Sequence, residues 1–251
     1  MNKEPHTSSM IYFHGLPGSA DELNLLESPI GIVPEVLNPL DFEAFDRHYT
    51  SVAPVKLIGF SLGAFSALKL AAARPKAISE LVLISPAGPL ELGPFLDEMA
   101  GAPIFKMAKS SSTAFPLLTA AQAMAARTFP RLMLNQMFAN SCEAEKTLLN
   151  SPSTVQSLVN GLKHALWNQA PQYRRTITEY VRPWAAELSK IQCPCRVYHG
   201  ERDDWVPLGM AQALFDRLPP ESSFSVEDGL GHYSTLIKVL PQVLSTYDGD
   251  S

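Results

Sequence analysis

Cysteine is scarce in this chain: Cys142, Cys193 and Cys195 are the only three among 251 residues. An odd number so placed argues against a disulfide framework and suits a reducing compartment. The Cys193-Pro194-Cys195 pair lacks the two intervening residues of a redox or zinc C-x-x-C motif, and no other cysteine pair completes a metal site. Cys195 reads instead as a small apolar residue facing the core at the start of a strand. No apolar run approaches the roughly 18 residues of a membrane span. Residues 1–9 are polar and lack the apolar stretch of a signal peptide, so a cytoplasmic location is expected. Positive charge is also in short supply. Twenty Lys and Arg against 25 Asp and Glu give a net charge of −5, which offers a nucleic-acid backbone no attraction. Internal repeats and a Walker-type glycine loop are missing as well. What the chain has in quantity is proline, 21 residues that cut it into many short elements, and apolar residues, 46% of the total. At this length that composition suffices for one large α/β domain.

The most informative residues are Gly59-Phe60-Ser61-Leu62-Gly63. An apolar run, Val55-Lys56-Leu57-Ile58, reads as a buried strand before them, and residues 64–73 read as a helix after them, with Pro75 beyond its end. Strand, tight turn and helix are the context that a G-x-S-x-G nucleophile elbow requires, with the serine Oγ lifted from the sheet edge. The flanking glycines let strand and helix approach closely. Alone, the five-residue string is a weak signal, since a glycine-bracketed turn with a polar tip reads the same way. A serine hydroxyl also needs a base, and the base an orienting acid.

Both are present downstream. Cys195 to Gly200 reads as a strand running into Glu201-Arg202-Asp203-Asp204-Trp205-Val206-Pro207. Residues 223–226 read as a short alternating strand before Glu227-Asp228-Gly229-Leu230-Gly231-His232. The order Ser61, acid, His232 is that of the α/β-hydrolase triad, and here the chain resembles the α/β-hydrolase family over roughly residues 10–88 and 185–245. In that family the acid commonly lies three residues after a strand-ending glycine, with a proline four further on. Gly200, Asp203 and Pro207 match this spacing, which favours Asp203 over its neighbour Asp204. The resemblance also implies an oxyanion hole. Met10-Ile11-Tyr12-Phe13 reads as a strand ending in His14-Gly15-Leu16-Pro17-Gly18, which looks like the family's HGxxG loop. By that likeness the donors are the backbone amides of Leu16 and Leu62, Pro17 having no N–H. Losing one such donor typically costs about 3 kcal/mol of transition-state stabilisation.

Other residues read more plainly. His14 and His199 sit at strand ends, where shaping a loop by hydrogen bonding is the expected role. His6, His48 and His164 have no partner pattern, and the Ser110-Ser111-Ser112 run has no base beside it. Glu227 and Asp228 read as a solvated loop rim, and Glu143 and Glu145 as the solvated face of a helix near Lys146.

Two departures from the family pattern stand out. The HG loop arrives by residue 14, leaving no room for the usual leading strand pair, and only a short helix, 42–48, fits between the second and third strands. The expected fold is therefore an α/β-hydrolase fold with a mostly parallel sheet of about six strands flanked by helices. After the strand at Leu81-Val82-Leu83-Ile84-Ser85, about 100 residues precede the next core strand, too many for a simple crossover. Helices are expected at 120–127, 131–138, 154–169 and 173–188. In the family such an insertion is a helical cap over the serine. The expected division is thus a core of 1–86 and 191–251 and a cap of 87–190. Phe105, Met107, Met133, Met137 and Phe138 either pack cap against core or line an acyl pocket.

The resemblance implies a serine hydrolase acting on a small ester-like molecule, without cofactor or metal. Carbon–carbon bond hydrolysis and thioester hydrolysis use the same constellation, and a non-catalytic binding module on a hydrolase fold is the reading from another class.

Overall fold

The computed structural model describes residues 10–26, 33–49, 54–111 and 113–245. The expectations attached to residues 1–9, to His6 and to Ser112 fall outside them. Among the described residues six strands form one sheet: β1 (Met10–Phe13), β2 (Glu35–Val36), β3 (Val55–Phe60), β4 (Ile78–Ile84), β5 (Cys195–Gly200) and β6 (Ser223–Glu227). Their order across the sheet is β2-β1-β3-β4-β5-β6, and all five pairings are parallel.

The central strands show why their sequences are continuously apolar. Every residue of β1 is buried, as are Leu57, Ile58 and Phe60 of β3 and Leu81 to Ile84 of β4. A parallel sheet covered on both faces demands this, because both faces of each strand meet helices. Cys195 is fully buried where β5 begins, as expected. The edge strand β6 has only exposed and half-buried residues instead. At the opposite edge β2 has only two residues.

Between the strands run α1 (Phe42–Tyr49) and α2 (Gly63–Ala73). The latter is built from alanine, leucine and phenylalanine and is buried over nearly its whole length. It packs on β3 and β4, and the Phe65 ring meets Tyr180 and Trp184 edge-on at 5.6 and 5.0 Å.

The segment between β4 and β5 is helical. It contains α3 (Ala102–Ser110), α4 (Ala114–Thr128), α5 (Pro130–Met137), α6 (Glu143–Leu148), α7 (Pro152–Lys163) and α8 (Ala170–Tyr180). A π-helical turn, His164–Asn168, joins α7 to α8. Three of the four expected helices appear, although the third passes through that π turn. The fourth, 173–188, is divided: α8 stops at Tyr180 and a separate 3-10 turn spans Ala185–Lys190. Pro183 supplies the cause, since proline disfavours helix both at itself and at the residue before it. The chain closes with α9 (Leu208–Phe215), between β5 and β6, and α10 (His232–Ser245), which packs on β4 and β5.

Candidate active site

Ser61 follows directly on β3, and its backbone is left-handed, with φ of 54°. This region is unfavourable for a residue with a Cβ, and a strained turn of this kind survives only when its surroundings hold it. Three backbone bonds do so here. The Ser61 N–H donates to the Ile84 carbonyl at 3.0 Å, and the Ser61 carbonyl accepts from Ala64 and Ala87, each at 3.1 Å. The two elbow glycines permit the geometry. A Cβ on Gly59 would lie 2.6 Å from Ala64 Cα, and one on Gly63 would strike the Phe13 carbonyl oxygen. Strand β3, helix α2 and the end of β1 can meet only because both side chains are absent.

The loops following β5 and β6 bring Asp203 and His232 together. Asp203 Oδ2 lies 2.7 Å from His232 Nδ1, and Asp203 Oδ1 accepts the backbone N–H groups of Trp205 and Val206, each at 2.9 Å. The Asp203 side chain is fully buried, and His232 is 1% exposed. Burial pushes the Asp203 carboxyl upward, but the His232 imidazole and the hydrogen bonds outweigh it and hold the group below its usual range. For His232 burial acts downward. The charge and hydrogen bond of Asp203, with Glu145 and Asp204 adding to them, carry it above its usual value. The imidazole stacks almost parallel on Trp205, with ring centroids 5.3 Å apart and planes 8° apart, and meets Phe60 at 4.8 Å. Trp205 carried no signal in the sequence, because nothing in its spacing marks a ring that packs on a residue 27 positions away.

Asp204 points elsewhere. Its Oδ2 accepts from the Ser141 hydroxyl at 3.1 Å, and burial raises its pKa. The two adjacent carboxylates thus differ in partner.

His14 and His199 do shape loops. His14 Nδ1 lies 2.8 Å from the Gly15 carbonyl oxygen, and burial lowers its pKa to about 4. His199 Nε2 lies 3.0 Å from the Val206 carbonyl oxygen, so it braces the loop carrying Asp203. Beneath the His14–Gly18 loop lies Glu22, a residue the sequence reading passed over. Its Oε2 accepts from the Gly15 N–H at 3.0 Å and from the Tyr12 hydroxyl at 2.8 Å. Its Oε1 has no hydrogen-bond partner among the described residues. Burial drives the Glu22 pKa up to about 7.

Glu145 corrects one expectation. It does not lie on a solvated face but is fully buried, accepting backbone N–H groups at the start of α10. Glu143, on the same short helix, is exposed. With so few turns in α6, charge spacing could not tell the two apart.

Leu16, Ser61 and Leu62 open on a cavity of about 660 Å³ whose other wall comes from the helical insertion, including Phe105, Met133 and Met137. That volume falls in the range of small-molecule sites, about 300–1,000 Å³. Of the five residues considered for an acyl pocket, Met107 and Phe138 do not line it. Phe138 is buried against Trp205 and Tyr233.

No curated protein matches the chain in sequence. Among solved structures it is similar to lip1 of Acinetobacter baumannii AYE, with a TM-score of 0.65 and 15% identity over 95% of this chain and 82% of that one. It is also similar to a thermophilic esterase from Thermogutta terrifontis, with a TM-score of 0.62 and 18% identity over 95% and 88% of the two chains. A bromoperoxidase from Bacillus anthracis gives a TM-score of 0.60 and 17% identity over 96% and 91%. At such identities the likeness is one of fold. The sequence model of the family described as "Serine aminopeptidase, S33" matches residues 40–235, more than half of the chain. The chain belongs to this family of α/β-hydrolases.

Proposed function

We propose that the protein is a serine hydrolase that cleaves a carboxylic ester through an acyl-enzyme. Ser61 is the nucleophile, His232 the general base and Asp203 its orienting acid. The observation that carries this reading is the buried Asp203–His232 pair, whose imidazole meets the ring of Phe60, the residue before the left-handed Ser61 that opens on a cavity. With Nδ1 held by Asp203, the imidazole has Nε2 left to take the Ser61 proton as Oγ attacks the ester carbonyl. The backbone N–H groups of Leu16 and Leu62 stabilise the oxyanion. Collapse of the tetrahedral intermediate breaks the bond to the alcohol oxygen, which takes the proton from His232. Water, deprotonated by the same histidine, then releases the acid and restores Ser61. No step asks for a cofactor.

The division into a core of 1–86 and 191–251 and a cap of 87–190 is part of this proposal, the cap supplying the outer wall of the cavity. So is a cytoplasmic setting, for which the three free cysteines speak. Among the described residues no helix is long and apolar enough to cross a membrane. Carbon–carbon bond hydrolysis is the second reading. It draws support from the polar groups on the cavity wall, Gln122, Gln136, Asn140 and Asp204, which suit a substrate with hydrogen-bonding groups.

Labelling with a fluorophosphonate probe tests the nucleophile. Wild type should label and Ser61→Ala should not; an unlabelled wild type would remove the case for an activated serine. A series of p-nitrophenyl esters of rising acyl length then separates ester hydrolysis, with turnover on at least one member, from carbon–carbon hydrolysis, with labelling but no ester turnover.

A further inference from the structure

An α-helix leaves the N–H groups of its first turn without partners inside the helix, and a neighbouring Ser, Thr, Asp or Asn usually accepts from them. At the start of α10 the acceptor comes from 88 residues away. Glu145 of α6 accepts the Tyr233 N–H at 3.1 Å through Oε2 and the Ser234 N–H at 2.6 Å through Oε1. Its carboxylate therefore sits on the positive end of the helix whose first residue is His232. Both oxygens accept N–H groups, which favours the ionised form against a burial that pushes its pKa up. The fit depends on Gly231, where a Cβ would come within 2.5 Å of Glu145 Cγ.

Neighbouring residues of the insertion make parallel contacts. The Phe138 ring stacks on Tyr233 at 5.6 Å and meets Trp205 edge-on at 5.3 Å. The Ser141 hydroxyl donates to Asp204 and lies 3.3 Å from the Trp205 indole nitrogen. Residues 138–145 thus bind both the loop that carries Asp203 and the turn that carries His232.

We propose that Glu145 is a positioning residue: from the insertion it fixes the first turn of α10 and with it the orientation of the His232 imidazole. This rests on the reading of His232 as the base. Because the carboxylate is also an anion near the ring, it favours the imidazolium alongside Asp203 and Asp204 from the loop after β5 and Glu22 beneath the loop after β1; His199 at the end of β5 opposes them. A glutamate that merely filled space would do neither.

Glu145→Gln, which keeps the shape, and Glu145→Ala separate the possibilities. The His232 titration is followed by NMR in the Ser61→Ala background, and fluorophosphonate labelling rates are followed from pH 5 to 9 with Ser61 intact. Glu145→Gln should lower the His232 midpoint by about half a pH unit or more, since an anion is lost nearby. Glu145→Ala should in addition slow labelling at the pH optimum about tenfold or more, as the ring loses its fixed orientation. Unchanged midpoint and labelling rate in a folded Glu145→Gln protein would overturn the proposal. So would an equal loss of rate at every pH with no shift in the His232 titration. The NMR titration needs no turnover, so a failure of the ester assignment alone would leave that result standing.

Discussion

Glu22 and Glu145 are both buried carboxylates, at 4% and 0% exposure; Glu22 accepts a backbone N–H from the loop after β1, and Glu145 accepts two from the first turn of α10. They differ in reach and in completeness. Glu22 holds a loop seven residues away and leaves one oxygen without a partner among the described residues. Glu145 crosses from the insertion, and both its oxygens are bonded. The N-terminal loop is thus held by its own neighbourhood, at the cost of a poorly satisfied charge. The histidine turn is held by a distant segment that satisfies the charge well. A buried acceptor left unpaired costs about 1–3 kcal/mol, so the local device is the less stable of the two.

The contrast can be broken most forcefully at the acid. Asp203→Asn should cut kcat by about 10⁴ if the proposed triad operates, by analogy with the corresponding loss in serine proteases, while Asp204→Asn should cost no more than a few-fold. An esterase assay on both variants decides it; the reverse ranking would move the acid to Asp204. Next in size is Glu22→Ala, which strands the Gly15 N–H and the Tyr12 hydroxyl. Urea unfolding should show a loss of about 2–3 kcal/mol. A pH series then sharpens the comparison. Burial pushes the folded-state pKa of Glu22 up to about 7 from the ordinary carboxylate value of 4.5, so between these values the folded state holds more protons than the unfolded. Its contribution to stability is therefore greatest below pH 4.5 and is lost as the pH rises through 7. Glu22→Gln should lack that decline in urea midpoints. His232, raised above 6.5, must be neutral to act, so kcat/KM should rise with pH along an acid limb whose midpoint lies above 6.5. The smallest effect belongs to the cavity wall. Met133→Ala or Met137→Ala should change acyl-length preference a few-fold, with little change on the shortest ester.

The same division explains what could be read from the chain. The strands were legible because a parallel sheet writes its double burial as unbroken apolar runs, and Gly59 and Gly63 marked the elbow because only a missing side chain fits there. Asp203 and His232 emerge at strand ends beside glycines, where spacing is informative. The insertion was legible only in part. Its helices show themselves by composition, yet α3 went unanticipated, and the roles of Phe138, Ser141 and Glu145 depend on partners 63 or more residues away. Charge pattern on a six-residue helix gives no sign that its middle carboxylate will be buried at another helix's end.

The parallel stack of Trp205 on His232 gives the base an optical signature. An indole stacked in parallel on an imidazole, with ring centroids 5.3 Å apart, feels a full positive charge whenever that ring is protonated. Protonated imidazole quenches indole emission, so the fluorescence of Trp205 should dim as the pH falls through the His232 titration. Replacing Trp167 and Trp184 by phenylalanine would isolate that signal and make the charge of the base visible before any substrate is known.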